Sequence, residues 1–406
     1  MLKEKENKIM GITMVLSLLS GVALFLYGMA LMGDSLKKVA GNKLELILYK
    51  LTNSPIKGLL LGTVVTAIIQ SSSATTVMVV GFVNSGMMKL KQAIGIIMGA
   101  NIGTSITGWI LCLSYIDGKN GIAKILSTAT ISAVVAIIGI ILRMACKRSV
   151  HKNIGNIMLG FAILMTGMQT MSGAVSPLAD MPEFTSILTT FNNPLIGVLT
   201  GAVFTGVIQS SAASVGVLQA LAMTGAISYG MAIPIIMGQN IGTCVTAMIS
   251  AIGAKKNAKR AALVHLYFNI IGTLVFMCLF YLINAFIHFE FLSQGATPVG
   301  IATIHSIFNI FATIILLPFG KGLEKLACLS VRDDKEREET IDANRDFDLL
   351  DERFLDKTSL AMEHCRMVTN NMADLSREAL FKSLDLFSDF SEEKAGDVCD
   401  IEERVD

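Results

Sequence analysis

Gln70-Ser71-Ser72-Ser73-Ala74-Thr75 and Gln209-Ser210-Ser211-Ala212-Ala213-Ser214 place amides and hydroxyls in sequence that is otherwise apolar. A hydroxyl donates or accepts a hydrogen bond, and a glutamine amide does both. Such a cluster can hold an anion through its donors or a cation through its oxygens. The two clusters stand 139 residues apart. The same spacing, without a gap, pairs Gly28 with Gly167, Pro55 with Pro194 and Gly86 with Gly225. It also pairs Ile96–Thr104 with Ile235–Thr243, which carry Asn101 and Thr104, and Asn240 and Thr243. One structural unit is therefore used twice.

The chemistry on offer is binding rather than bond breaking. No phosphate-binding loop, HExxH, dinucleotide fingerprint or Ser-His-Asp set occurs, and the serines have no evident base within either repeat. The chain reads as no enzyme, with no organic cofactor, no nucleic-acid partner and no transition-metal site. The seven cysteines, at 112, 146, 244, 278, 328, 365 and 399, have neither metal-ligand nor disulfide-framework spacing. Ser, Thr, Asn and Gly-x-x-x-Gly spacings also glue membrane helices together. One cluster alone would fit that reading. The doubled, symmetry-matched pair favours binding, because matched interruptions in two repeats mark a carrier's site.

The elements that position these residues follow from composition. Of 406 residues 52% are hydrophobic and 16% charged, which is too apolar for an ordinary soluble domain. Residues 1–330 carry 22 Lys/Arg against 9 Asp/Glu, and residues 331–406 carry 11 against 23. A membrane part with basic loops thus precedes a solvated acidic tail. The first apolar stretch is long and its Gly28 belongs to the repeat, so it reads as a mature helix rather than a signal peptide. Charge-free runs predict an all-α polytopic protein with full spans at 10–33, 92–114, 122–142, 154–176, 230–253, 262–287 and 298–319. The segments 55–86 and 194–225 are too short for two spans of roughly 20 residues each and a turn. Each has its polar cluster at the middle, which suits a re-entrant hairpin of two half-helices. This gives repeat 1 over 10–142 with its hairpin at 55–86, repeat 2 plus a final helix over 154–319 with its hairpin at 194–225, and a tail over 331–406. With hairpins returning to the side of entry, lysines and arginines collect on one side, from Lys37 and Lys57 through Lys89, Lys91 and Lys255 to Lys325. The positive-inside rule then puts the N-terminus outside and the tail in the cytoplasm. Three full spans per repeat make the copies inverted.

Gln-Ser-Ser-Ser followed about 30 residues on by Gly-Ala-Asn-Ile-Gly-Thr-Ser, both repeated in order at equal spacing, resembles the type II sodium–phosphate cotransporters, whose bacterial members carry a cytoplasmic PhoU-like domain. The resemblance covers roughly residues 15–320. It implies sodium-driven uptake of inorganic phosphate across the plasma membrane. It implies a phosphate site at Gln70, Ser71, Ser72, Ser73, Thr75, Gln209, Ser210, Ser211 and Ser214, and sodium ligands among Gln70, Asn101, Thr104, Gln209, Asn240 and Thr243. The second motif departs from the pattern at Ala212, which lacks the third hydroxyl. If Ser72 and Ser73 open a half-helix, its free N–H groups and positive dipole end form an anion cradle. The carbonyls ending the first half-helix suit sodium. The glycines around Asn101 let that helix either unwind or pack closely.

No charged residue lies between Glu183 and Lys255. A proton-coupled carrier usually needs an intramembrane acid or histidine. The candidates are His265 and His305, each in a His-x-x-Phe-Asn pattern with Asn269 and Asn309 one turn on. Helix–helix hydrogen bonding is the favoured reading for both, with proton coupling the lesser one. An uncharged site leaves the anion's charge to a co-bound cation, which argues for sodium as coupling ion. In the tail, Ala361, Cys365, Val368, Met372, Leu375 and Ala379 form a helical stripe that resembles the opening of a PhoU-like bundle, cut short at Asp406. The charge run Asp400-x-Glu402-Glu403-x-x-Asp406 is expected to be solvated rather than metal-binding. Two other functions stay open: a carrier of another small anion (sulfate, arsenate, a dicarboxylate) and a membrane phosphate sensor. A homodimer stays open as well.

Overall fold

A computed structural model describes residues 2–40, 54–116, 127–177, 193–332 and 358–405. Loop lysines Lys43, Lys50, Lys119 and Lys124, the connection 178–192 and the first stretch of the tail lie outside the described residues. The described chain is helical, and seven of its helices are long and apolar enough to cross a membrane.

In chain order the helices are α1 (Leu2–Ala40), α2 (Pro55–Ile69), α3 (Ser72–Asn84), α4 (Leu90–Cys112), α5 (Thr128–Ala145), α6 (Ser149–Val175), α7 (Pro194–Ile208) and α8 (Ser211–Ala222). They continue with α9 (Tyr229–Ser250), α10 (Lys256–Ile287), α11 (Pro298–Leu316), α12 (Gly320–Ser330), α13 (Thr358–Asp385) and α14 (Glu392–Val405). Short 3₁₀ turns cover Leu113–Tyr115 and Glu290–Ser293.

The spans expected from hydropathy match α1, α4, α5, α6, α9, α10 and α11. Each segment expected to be a hairpin is a pair of short helices, α2–α3 and α7–α8. Proline at the first helical position and a polar cap start both pairs: Ser54 before Pro55, and Asn193 before Pro194. Proline suits that position because its missing N–H would be unpaired there in any residue.

The first helices of the two repeats, α1 and α6, pack face to face through glycines. Gly21 lies against Gly167 and Met171, and Gly28 against Gly160 and Leu164. Gly21 and Gly160 are repeat mates, as are Gly28 and Gly167, so each glycine meets the mate of the other. Contacts that rise along one helix and fall along the other mean the two run antiparallel. A Cβ at Gly28 would stand 2.5 Å from the Leu164 nitrogen, so only glycine permits this approach.

The scaffold helices α4 and α9 support the hairpins in the same manner. A Cβ at Gly99 would lie 2.0 Å from the Leu59 carbonyl oxygen, and one at Gly238 would lie 1.9 Å from that of Val198. Both helices run unbroken past their Asn-x-Gly-Thr stretch. Of the two roles open to those glycines, close packing is the one observed.

The hairpin bases lie at opposite ends of the bundle. Asn84, at the base of α2–α3, accepts from the Lys255 backbone just beyond the end of α9. The base of α7–α8 meets the α10–α11 connection near the start of α9: the Ala296 N–H donates to Ile227 O, and the Tyr229 N–H to Gln294 O.

Candidate functional site

At each hairpin tip the helix stops on a glutamine in the left-handed region, Gln70 at φ 58° and Gln209 at φ 57°. Non-glycine residues seldom adopt this conformation, and two at matched positions mark a built feature. The next residue caps the new helix: Ser71 Oγ accepts from the Ala74 N–H at 3.1 Å, and Ser210 Oγ from the Ala213 N–H at 3.2 Å. The first N–H groups of a helix have no partner within it. With those of Ala74 and Ala213 capped, the N–H groups of Ser72 and Ser73, and of Ser211 and Ala212, remain at the tips without a partner among the described residues. The helix-start dipole adds partial positive charge there.

A second pair of bonds holds each tip closed. Thr66 Oγ1 donates to Thr75 Oγ1 at 3.0 Å, and Thr205 Oγ1 to Ser214 Oγ at 2.8 Å. All four residues are fully buried. Thr75 and Ser214 therefore brace the arms. Their partners Thr66 and Thr205 were not singled out from sequence, although they share the 139-residue spacing. The side chains of Ser72, Ser73, Ser211 and Gln209 make no hydrogen bond among the described residues. The two glutamines differ. Gln70 is 6% exposed, bonds the Ala67 carbonyl and leaves its buried Oε1 without a partner among the described residues, whereas Gln209 is exposed.

Asn101 and Asn240 sit at the centre of a two-fold polar network. Asn101 Nδ2 donates to Asn269 Oδ1 at 3.0 Å, and its Oδ1 lies 3.4 Å from His265 Nε2. Asn240 Nδ2 donates to Asn309 Oδ1 at 3.2 Å, and its Oδ1 lies 3.2 Å from His305 Nε2. Asn309 then donates to Ser105 at 2.9 Å, and Asn269 to the Cys244 sulfur at 3.3 Å. Ser105 and Cys244 are again repeat mates. So α10 joins α4 to α9 through Asn269, and α11 joins α9 to α4 through Asn309. An amide oxygen only accepts, so each Nε2 carries a proton, and in the neutral ring Nδ1 is an acceptor. Both Nδ1 atoms are buried without a partner among the described residues. Thr104 and Thr243 bond back to the Ala100 and Gln239 carbonyls of their own helices.

A further buried amide lay outside the sequence reading. Gln219 Nε2 donates to the carbonyls of Gly108 and Pro298, both at 3.2 Å, and ties α8 to α4 and α11. The repeat gave no signal for it, because its mate is Val80. Among the described residues no group of His, Cys, Asp and Glu could hold a transition metal.

The tips thus offer N–H donors, hydroxyls and amide oxygens and no formal charge. That is a donor set for a small oxyanion accompanied by a hard cation. Comparison with known proteins points the same way. The model of the Na+/Pi-cotransporter family matches twice, over residues 24–173 and 166–297. YqeW of Bacillus subtilis, a protein without assigned function, is 30% identical over 298 residues, 73% of this chain and 92% of the relative. YjbB of Escherichia coli, a candidate inorganic phosphate export protein, is 26% identical over 371 residues, 90% of this chain but 64% of the relative. The rat sodium-dependent phosphate transport protein 2A is 27% identical over 173 residues, 42% of this chain and 26% of the relative. No solved structure matches significantly.

Proposed function

The chain belongs to the Na+/Pi-cotransporter family, and on that premise we propose that it is a secondary active carrier coupling sodium to inorganic phosphate. The observation that carries this reading is the matched pair of tips: two left-handed glutamines, each followed by a helix start whose first N–H groups are free. Phosphate would be held by the N–H groups of residues 72, 73, 211 and 212 and by the hydroxyls of Ser71, Ser72, Ser73, Ser210 and Ser211. The carbonyls that end α2 and α7, with Gln70 and Gln209, would supply oxygens to sodium. Sodium close by would offset the anion's charge in a site that has none of its own.

In the membrane the hairpins would be re-entrant. The antiparallel α1–α6 pair and the hairpin bases at opposite ends of α9 support inverted repeats. The end bearing Lys57, Lys89, Lys91, Lys255, Lys256 and Lys259 would face the cytoplasm, and the acidic tail, PhoU-like in its helical pattern, would lie on that side. Each tip would then be reached from its own side, the first from the cytoplasm and the second from outside.

Uptake is the proposed direction. The described role of YjbB favours export as the second reading. In cells lacking other phosphate carriers, expression should raise sodium-dependent accumulation of radiolabelled phosphate, and collapse of the proton gradient should leave it intact. Faster efflux with lower internal phosphate would establish export instead. Accumulation driven by a proton gradient in sodium-free buffer would overturn the sodium coupling.

A further inference from the structure

A cavity of about 150 Å³ lies inside the second hairpin unit, between α7, α8 and α9. Thr200, Phe204, Val217, Leu221, Ile227 and Ile235 line it, and its wall is almost wholly apolar. Ser214 also borders it, but its hydroxyl is engaged with Thr205. An inorganic anion does not leave water for such a wall. The cavity is therefore distinct in chemistry from the tip a few residues away.

The first hairpin carries other side chains at the matching positions. In the 139-residue register Val217, Leu221 and Ile227 answer to Met78, Phe82 and Met88, and Thr200 to Leu61. Met78, Phe82 and Met88 are buried in the core of the first repeat. At three of them, Val217, Leu221 and Thr200, the second repeat carries the smaller side chain, while Ile227 and Met88 are of nearly equal size. Phe204 for Val65, Leu218 for Val79 and Gln239 for Ala100 go the other way, and space still remains. The two repeats thus line this place with different side chains, and in the second it holds a cavity.

The position of the opening says what can enter. Leu195, Leu199, Val203 and Val207 lie four apart along α7 and are 57–77% exposed. In a chain with membrane-spanning helices such a ridge faces hydrocarbon. Phe204 belongs both to that exposed surface and to the cavity wall. An apolar cavity of this size stays dry and accepts an apolar guest the size of benzene.

We propose that this cavity holds the end of a bilayer acyl chain, inserted between the arms of the second hairpin. The guest would touch Phe204, the neighbour of Thr205, and Val217, one turn from Ser214. It would therefore bear directly on the bond that braces the second tip. The proposal holds whichever ion the protein carries.

A single tryptophan at the mouth tests it (Trp109→Phe with Phe204→Trp). Detergent-solubilised protein is titrated with a phosphatidylcholine dibrominated in its acyl chains, a quencher of tryptophan fluorescence. Quenching at position 204 should saturate at low lipid-to-detergent ratio, and excess toluene should relieve it. In a background of Val217→Met with Leu221→Phe, which restores the first repeat's packing, quenching should fall to the shallow, proportional response given by Trp109 in the native chain. Val217→Met alone, checked for an unchanged melting temperature, should give an intermediate response and covers the case in which the double variant misfolds. A proportional response at 204 from the start means bulk lipid contact only and overturns the proposal. So does a saturating response that survives filling, which places the contact elsewhere, as on a second copy of the chain.

Discussion

At the scale of single residues, the glutamines at the tips combine two properties that rarely meet: a left-handed backbone and a long amide side chain. Alanine at either position keeps the backbone strain and removes the amide. A hydrogen bond to a charged group contributes about 1.5–3 kcal/mol, and each 1.4 kcal/mol is about tenfold in affinity. Gln70→Ala and Gln209→Ala should each weaken phosphate or sodium binding about 10- to 100-fold, read by calorimetry with each ion varied in turn. Their stabilities should differ. Gln209 is exposed and its side chain makes no hydrogen bond among the described residues, so Gln209→Ala should melt like the native chain. Gln70 is buried and bonded to Ala67, so Gln70→Ala should melt slightly earlier. Asn101 is a different case, since both ends of its amide are engaged by Asn269 and His265. Removing it strands two buried polar partners, at about 1–3 kcal/mol each. Asn101→Ala should lower the melting temperature, and adding His265→Ala should cost less than the sum of the two single changes. Full additivity, with loss of sodium affinity at native stability, would show that Asn101 serves an ion rather than the frame.

At the scale of elements, the bundle divides into a frame and two inserts. The helices α4, α9, α10 and α11 are joined by the buried His–Asn network, and α2–α3 and α7–α8 lean on it through glycines. The inserts approach from opposite ends, which places the α10–α11 connection and the start of α10 on different sides of a membrane. On a cysteine-free background, Ser293→Cys should react with an impermeant thiol reagent added outside intact cells, and Lys259→Cys should react only after the membrane is opened. Both native residues are exposed, so accessibility within the fold does not limit either reaction. The reverse labelling would turn the molecule over and exchange the sides from which the two tips are reached.

At the scale of the whole molecule, the membrane part and the tail meet at a specific clamp. Arg260 at the start of α10 donates to the Val331 carbonyl through Nε at 3.1 Å and Nη2 at 2.8 Å, and Tyr267 pairs with Ser330 at 2.6 Å. Composition alone places the boundary near Leu329, but a cut there removes the carbonyl that a buried guanidinium uses. A chain ending at Arg332 should insert, melt like the full chain and retain phosphate binding. One ending at Leu329 should melt several degrees lower, as expected for about 1–3 kcal/mol lost with the hydrogen bonds that a buried charged donor makes to the Val331 carbonyl. Equal melting of the two would show that the clamp contributes nothing.

The sequence by itself determined the helical membrane class, the seven spans, the two short helix pairs and the place of their breaks. Hydrophobic length, proline, capping serines and a gap-free repeat are local signals, and each survives without knowledge of the partner. It also placed His265 and His305 among helix-joining residues through their spacing to Asn269 and Asn309. Only the tertiary structure decided what those pairs join. The network matches α10 with α11, which stand 40 residues apart and outside the 139-residue register. It thereby engages Asn101 and Asn240, whose carboxamides alone would serve an ion equally well. The structure likewise settled that the Asn-x-Gly-Thr glycines admit a neighbouring backbone, that Thr75 and Ser214 brace the arms, and that the two tips differ in exposure. A hydroxyl or amide has the same inventory of donors and acceptors wherever it stands. Whether those are spent on another helix or left free for a ligand depends on which groups packing brings within 3 Å, and that is fixed by contacts far apart in the chain.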